Sequence, residues 1–155
     1  MIPLAELRRR FAGPGRVDWI GLRPARLALP QAVTRCTVTE NGLEGDHGRC
    51  GKRAVTLIQA EHIPVIAALC GRTVTAEMLR RNIVVSGLNL TAAREFGLQI
   101  GEVMLEITAP CAPCSRMEAV LGQGGYTAMR GHGGWCARVV TTGEIELGHR
   151  VIHRS

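Results

Sequence analysis

The chain is poor in aromatic side chains and contains no long apolar run. Its 155 residues include only five aromatic ones, which are Phe11, Trp19, Phe96, Tyr126 and Trp135. A core must therefore be built from Val, Ile, Leu and Ala. No stretch approaches the ~18 consecutive apolar residues that a membrane-spanning helix needs, so we expect no membrane partner. The first eleven residues are amphipathic and not apolar, so we expect no secretory signal.

Cysteine content and charge point to a reducing compartment and an anionic partner. The six cysteines are Cys36, Cys50, Cys70, Cys111, Cys114 and Cys136. Without an export signal, we expect them to be reduced thiols in the cytoplasm. The formal net charge of +6 favours an anionic partner. Specific binding of nucleic acid is not expected, because the basic residues are dispersed and few aromatic side chains are present to stack on bases.

Nineteen glycines and several short β-branched segments predict a β-rich α+β fold. We expect six to eight short strands and a few small helices in a single domain over residues 1–155. Strands are predicted at 16–22, 34–39, 53–58, 82–86, 98–100, 103–108, 135–141 and 149–153. Helices are predicted at 3–10, up to 69, at 76–80 and at 115–120, and residues 42–48 and 87–95 are predicted to be irregular. A glycine-dense stretch at 122–134 has no predicted element. This pattern is typical of a partly closed β-barrel.

The most informative motif is Cys111-Ala112-Pro113-Cys114, which lies between a predicted strand and a predicted helix. The helix N-terminus and Arg116 both favour a thiolate at this place. The spacing resembles a thioredoxin-type redox pair, but the βαβ context of that fold does not follow it. Zinc is a second interpretation, because Cys111, Cys114, His132 and Cys136 supply four ligands of a suitable type. A third interpretation is a thiol that holds a soft metal or sulfur.

Short segments spread along the chain resemble a known family when they are taken in order. They are residues 23–26, 42–48, 53–57, 80–85, 100–101, 105–117, 131–134 and 137–139. Together they resemble a MOSC domain, the module found at the C-terminus of eukaryotic molybdenum-cofactor sulfurases and as small standalone bacterial proteins. The resemblance covers residues 16–152 and implies a β-rich barrel with short helices.

The resemblance also implies a role for one cysteine. In the family, the functional cysteine follows a proline, and that position is Cys114 in this chain. Cys114 is therefore implied to be the catalytic residue, either as the ligand of molybdenum in a molybdenum cofactor (molybdopterin) or as a sulfur carrier. A thiolate is a soft donor that suits this metal. Cys111 stands where many relatives have another residue, such as arginine, and it is a secondary candidate.

An anionic pterin cofactor needs a cradle for its phosphate, which Arg side chains usually supply. The predicted cofactor-binding residues are Arg80, Arg81, Asn82, Asp46, His47, Arg53, Arg116 and His132. Among them, Arg80 and Asn82 are the first candidates for the phosphate, and Arg116 for lowering the pKa of Cys114. Arg23 and Arg26 are weaker candidates that help to close the site.

Two functions follow from the resemblance, and whether the protein is an enzyme stays open. The first is reduction of N-hydroxylated compounds with electrons from a separate partner, because the sequence shows no flavin or iron–sulfur motif. The second is a module that carries sulfur or the cofactor to an acceptor protein. A pyridoxal-phosphate domain, which generates the sulfur in the sulfurases, is not expected in 155 residues. A small zinc-binding protein is the remaining alternative.

Overall fold

A computed structural model describes residues 1–154, and Ser155, which the predicted domain includes, lies outside the described residues. The strands are β1 Gly15–Leu22, β2 Gln31–Val33, β3 Arg35–Thr39, β4 Gly42–Leu43, β5 Val55–Gln59, β6 Ile83–Ser86, β7 Gly97–Ile100, β8 Val103–Pro110, β9 Trp135–Thr141, β10 Gly143–Glu146 and β11 Arg150–Arg154. The helices are α1 Leu4–Leu7, α2 His62–Cys70, α3 Ala76–Leu79, α4 Leu90–Ala93, α5 Ser115–Leu121 and α6 Gly125–Met129. None of the helices within 1–154 is long and apolar enough to cross a membrane.

Seven strands form a mixed barrel. Their order around the barrel is β1, β6, β5, β9, β8, β7 and β11, and β11 pairs with β1 again through Gly15 opposite Val151 and Arg16 opposite Arg150. Strand β2 extends the sheet beyond β1, and β10, β3 and β4 form a separate three-stranded sheet. Neighbouring strands are antiparallel except β5 and β6. The β-rich α+β barrel predicted from the sequence is confirmed.

The parallel pair β5 and β6 explains where the helices lie. Parallel strands need a crossover connection, and α2 and α3 supply it. Strand β5 is covered on both faces, and all five of its residues are buried, including the polar Thr56 and Gln59. Val55 and Leu57 belong to the barrel core, whereas Ile58 packs into a second core with residues of α2, α3, α5 and α6. The helices therefore cluster against one side of the barrel.

Two segments for which no helix was predicted contain one. Residues 87–95, which were predicted to be irregular, include α4, which begins after Asn89, whose side-chain oxygen accepts a hydrogen bond from the Ala92 N–H at 3.3 Å. The glycine-dense stretch, which had no predicted element, includes α6. The Glu118 carboxylate accepts hydrogen bonds from the N–H groups of Gly124 and Tyr126 at the start of this helix, each at 3.0 Å. Because this cap comes from the preceding helix, it leaves no local sequence signal from which α6 could be predicted.

Candidate functional site

A basic cavity of about 720 Å³ opens beside the loop that follows β8. Its positively charged or titratable lining residues are Arg23, Arg26, Arg49, Arg53 and His47. Thr56 and the cysteines Cys111 and Cys136 also line it, and no Asp or Glu of residues 1–154 does. Four guanidinium groups without a lining carboxylate make this cavity a place for an anion.

A buried ion pair fixes the first of these arginines. The Asp46 side chain is fully enclosed, and its Oδ1 accepts hydrogen bonds from the backbone N–H of Arg23 at 2.7 Å and from its Nε at 3.0 Å. The second oxygen of Asp46 accepts from an Arg23 Nη at 3.0 Å. Burial by itself raises the pKa of Asp46, but the hydrogen bonds from Arg23 and Asn82 outweigh it and hold this pKa below the ordinary value. Asp46 is therefore ionised and orients Arg23.

Asn82 connects the strands behind the cavity. It is completely buried, and its oxygen accepts hydrogen bonds from the N–H of Thr56 at 3.0 Å and from its hydroxyl at 3.2 Å. Its side-chain N–H groups donate to the Gly21 carbonyl and to Asp46, both at 3.1 Å. Because the amide's hydrogen-bonding groups are already used inside the protein, Asn82 acts by positioning Asp46 and Arg23.

Arg80 and Arg116 converge beside Cys114. Arg80 is the one non-glycine residue among 1–154 with a positive φ, 59°, and this turn sends the Arg80 and Arg81 side chains to different places. Arg80 donates to the carbonyl of Arg26 at 2.8 Å, and Arg116 donates to the same carbonyl at 2.7 Å. Burial and the charge of Arg116 lower the pKa of Arg80, which also lies close enough to Cys114 for their charges to interact. The exposed Cys114 thus lies near the Arg80 guanidinium, and it does not line the basic cavity.

Arg81 is a buried cation behind the cysteine loop. It is only 6% exposed, and it donates to the carbonyls of Gly133 at 2.7 Å and Cys111 at 3.2 Å. No carboxylate of the described residues forms a salt bridge with it. The close approach requires the glycine, because a Cβ at Gly133 would lie 3.0 Å from the Cys111 oxygen and 3.4 Å from an Arg81 Nη.

Cys111 and Cys136 lie on the same face of the β8–β9 pair. Ala109 is opposite Cys136, and the Cys111 N–H donates to the Gly134 carbonyl at 2.9 Å, so the two cysteines occupy diagonal positions. The hydrogen bond from the Cys136 thiol lowers the pKa of Cys111 well below that of an ordinary thiol, against the effect of burial and with help from Arg81 and two cavity arginines. The same interaction and burial raise the pKa of Cys136. Cys111 is therefore the thiol of this pair that ionises.

A second cavity of about 480 Å³ lies on the other side of residues 110–112, which line both cavities. His62, Tyr126 and Trp135 line it. The ring of His132 packs edge-on against His62 with centroids 5.2 Å apart, and its Nδ1 is buried without a hydrogen-bond partner. Burial and His132 lower the pKa of His62.

The predicted site residues are only partly brought together. His47 and Arg53 line the basic cavity, and Asp46 and Asn82 lie behind it. Arg80 and Arg116 meet at the Arg26 carbonyl, and Cys114 lies near Arg80, but these three residues do not line the cavity. His132 packs toward the second cavity. No three His, Cys, Asp or Glu side chains within 1–154 are placed to hold a metal ion. The structure therefore does not bring together the predicted zinc ligands, which are Cys111, Cys114, His132 and Cys136. His132 packs on His62 instead, and Cys114 is exposed at the start of α5.

The sequence interpretation missed two features of this site. Arg49 lines the cavity but belongs to no motif, and only the path of the loop after β4 brings it there. The pairing of Cys111 with Cys136 depends on the register of β8 and β9, which shifts between Ile107 and Ala109. The sequence shows two cysteines near the ends of predicted strands, but it does not show how the residues of those strands pair.

Solved structures with the same architecture include three bacterial proteins. The YuaD protein from Bacillus subtilis aligns with a TM-score of 0.79 at 14% identity and covers 92% of this chain and 97% of its own. YiiM from Geobacillus stearothermophilus aligns with a TM-score of 0.75 at 19% identity, and the alignment covers 92% of this chain and 76% of YiiM. YiiM from Escherichia coli aligns with a TM-score of 0.71 at 20% identity, and the alignment covers 90% of this chain and 70% of that protein. At these identities the likeness establishes a shared fold.

The sequence itself establishes the family. No curated protein sequence matches the chain significantly. The family model of the MOSC domain, however, matches residues 44–152, well over half of the 155 residues. That match includes every residue that lines the basic cavity except Arg23 and Arg26. The chain therefore belongs to the MOSC domain family.

Proposed function

We propose that this MOSC domain binds the molybdenum cofactor, with the phosphate of the pterin in the basic cavity and with Cys114 as the thiolate ligand of the metal. The observation that carries the proposal is the basic cavity, which four arginines line and which no carboxylate of residues 1–154 lines. Its volume of about 720 Å³ lies within the range of small-molecule and cofactor sites. A guanidinium group can donate two parallel hydrogen bonds to two oxygens of one phosphate, so this set of donors fits a phosphate ester.

The residues of the chain divide the work of binding. Hydrogen bonds with Asp46 and Asn82 fix the position of Arg23. The side chains of Arg53 and Arg49 make no hydrogen bond within the described residues, so both guanidinium groups can turn toward the phosphate and bind it. Arg80 lies close enough to the exposed Cys114 for their charges to interact. When it is bound, the cofactor supplies two-electron redox chemistry at molybdenum.

The reaction that we propose is the reduction of an N-hydroxylated compound, in which an N–O bond is broken and water is released. The electrons come from a separate donor protein. The second cavity offers space for such a substrate, because His62, Tyr126 and Trp135 present polar edges and flat aromatic faces next to residues 110–112. Six free thiols suit the reducing cytoplasm, where we place this activity.

The exposure of Cys114 also favours a second function. A sulfur carrier holds a persulfide that an acceptor protein must reach, and an exposed thiol meets this need. In this case the chain delivers sulfur or cofactor and catalyses no reduction of its own. The two functions differ in what is found on the Cys114 sulfur after purification.

Anaerobic purification from cells that make the cofactor tests the proposal. We expect molybdenum and pterin to copurify in equal amounts with the wild type, to be lost in Cys114→Ser and to be reduced in Arg53→Gln. Cys50→Ser, which removes another exposed thiol, is the matched control and retains both. Absence of molybdenum and pterin from the wild type contradicts cofactor binding. An added sulfur atom on the Cys114 peptide, without metal, favours the carrier function.

A further inference from the structure

Cys111 and Cys136 form a pair of unlike thiols beside the basic cavity. Both line it, and the strand pairing puts them on one face at diagonal positions of β8 and β9. Cys111 is half-buried and also lines the second cavity, whereas Cys136 is only 5% exposed. A small molecule in either cavity can therefore reach the Cys111 sulfur, whereas the Cys136 sulfur is shielded from solvent.

The charges around the pair distinguish the two sulfurs. Arg81 is buried, binds the Cys111 carbonyl at 3.2 Å and has no salt bridge to a carboxylate within residues 1–154. A buried cation without an anion is costly, so an ionised Cys111 supplies the missing counter-charge. The hydrogen bond from Cys136, with the nearby Arg23 and Arg53, lowers the pKa of Cys111 further, and burial raises that of Cys136. These are the properties of a nucleophilic thiolate and a neighbouring protonated thiol.

We propose that Cys111 and Cys136 are a redox-active pair, which a hydroperoxide oxidises to an intramolecular disulfide and a dithiol reduces again. In the first step, the Cys111 thiolate attacks one oxygen of the O–O bond. That bond breaks, the released alkoxide or hydroxide takes a proton from solvent, and Cys111 becomes a sulfenic acid. In the second step, Cys136 gives up its proton, its sulfur attacks the Cys111 sulfur, and the S–O bond breaks to release water. The two thiols lose two electrons, and the O–O bond accepts them.

The proposed partner of Cys111 is Cys136 and not the nearer residue in sequence, Cys114. The exposed Cys114 immediately precedes α5 and lies near Arg80, and it does not line the basic cavity. Cys136, in contrast, lines the same cavity as Cys111 and lies on the same face of the strand pair. The pairing does not rest on the proposed function, because it requires neither molybdenum nor pterin. Loss of cofactor binding and loss of this disulfide are therefore separate results.

Peroxide treatment of the reduced full-length protein, followed by alkylation and peptide mass mapping, tests the proposal. With one equivalent of hydrogen peroxide, we expect two of the six thiols to become inaccessible to the alkylating agent and one peptide pair to be linked through Cys111 and Cys136. A dithiol such as dithiothreitol restores all six. The exposed Cys50 serves as an internal control that remains alkylated. A link between Cys111 and Cys114, or six thiols that still alkylate, overturns the proposal.

Single variants assign the roles of the two sulfurs. In Cys136→Ser, oxidation stops at the sulfenic acid, which dimedone labels at position 111. In Cys111→Ser, neither a disulfide nor dimedone labelling appears, and Cys136 stays reduced. Cys114→Ser and Cys50→Ser form the Cys111–Cys136 link as the wild type does. Dimedone labelling of Cys50 or Cys114 at a rate equal to that of Cys111 contradicts the nucleophilic role, since we expect Cys111 to react about tenfold faster.

Discussion

Single buried polar residues make the basic cavity possible. Four arginines that line one space repel one another, and a buried contact behind the cavity can fix the position of one of them. The Asp46 carboxylate does this for Arg23, and the Asn82 amide joins both to the strands. Arg81 shows the opposite case, because it is buried with carbonyl partners and no carboxylate among the described residues. At this scale, charge is either neutralised within the protein or left available to an anion.

The Asp46–Arg23 pair gives a prediction for stability. We expect Asp46→Asn to lower the free energy of unfolding by about 3 kcal/mol at neutral pH, because it leaves Arg23 with an uncompensated charge in a nearly enclosed place. Denaturation by urea, followed by circular dichroism, measures this difference. Asp18→Asn removes an acid of the same type from the exposed Arg16–Asp18 pair, and we expect it to cost less than about 1 kcal/mol.

The effect of pH on this difference has a definite sign. The pKa of Asp46 is lower in the folded protein than in the unfolded chain. Its contribution to stability is therefore complete above about pH 4, the pKa of an unfolded Asp, and is lost as the pH falls through the lower folded value. The gap between wild type and Asp46→Asn should narrow as the pH falls below about 4. A gap that widens in acid contradicts the assignment of Asp46 as an ionised partner of Arg23.

Strands and loops bring these residues together, and at this scale the sequence was informative only in part. The alternation in β8 and the apolar run in β5 predicted both strands, and the motif after β8 placed the cysteine loop correctly. The helix α6 was missed because Glu118 caps it from α5. The Cys111–Cys136 contact was missed because pairing register is set by three-dimensional packing, here with a shift near Ala109. Local pattern identified elements, whereas contacts distant in sequence decided which residues meet.

Two glycines of the loop before β9 give a matched test of how closely elements approach. Gly131 and Gly134 both have positive φ, 82° and 91°. A Cβ at Gly134 would collide with the Leu57 carbonyl of β5, whereas nothing lies within 4 Å of a Cβ at Gly131. We expect Gly131→Ala to cost about 1 kcal/mol through backbone conformation alone, and Gly134→Ala about 3 kcal/mol or more. Urea denaturation of both variants measures the difference. Equal costs would show that β5 and β9 do not need this close contact.

The whole molecule separates its structural core from its charged surface. One apolar core lies in the barrel, and a second lies between the barrel and the helices packed on β5 and β6. The basic cavity lies outside both cores, and the cysteine loop after β8 lines it. Part of the formal net charge of +6 is concentrated at that cavity, because four arginines line it and no carboxylate of residues 1–154 does. A multivalent anion should therefore bind there and stabilise the folded protein as a whole.

Thermal unfolding in the presence of pyrophosphate tests this expectation without the cofactor. A ligand that binds only the folded state at about ten times its dissociation constant adds about 1.4 kcal/mol, which raises the Tm of a domain of this size by roughly 3–5 °C. Sodium chloride at equal ionic strength is the reference, because screening alone does not depend on the cavity. Arg53→Gln should lose most of the shift, since Arg53 lines the cavity.

Arg138→Gln is the matched control for that variant. Arg138 pairs with Glu106 at 2.7 Å on the exposed surface and does not line the cavity. Each variant removes one positive charge from the formal +6, so a general effect of net charge appears equally in both. We expect Arg138→Gln to keep the full shift in Tm with pyrophosphate. Equal loss in the two variants would mean that the anion responds to the overall charge, and the arginine cavity would then have no special role in binding it.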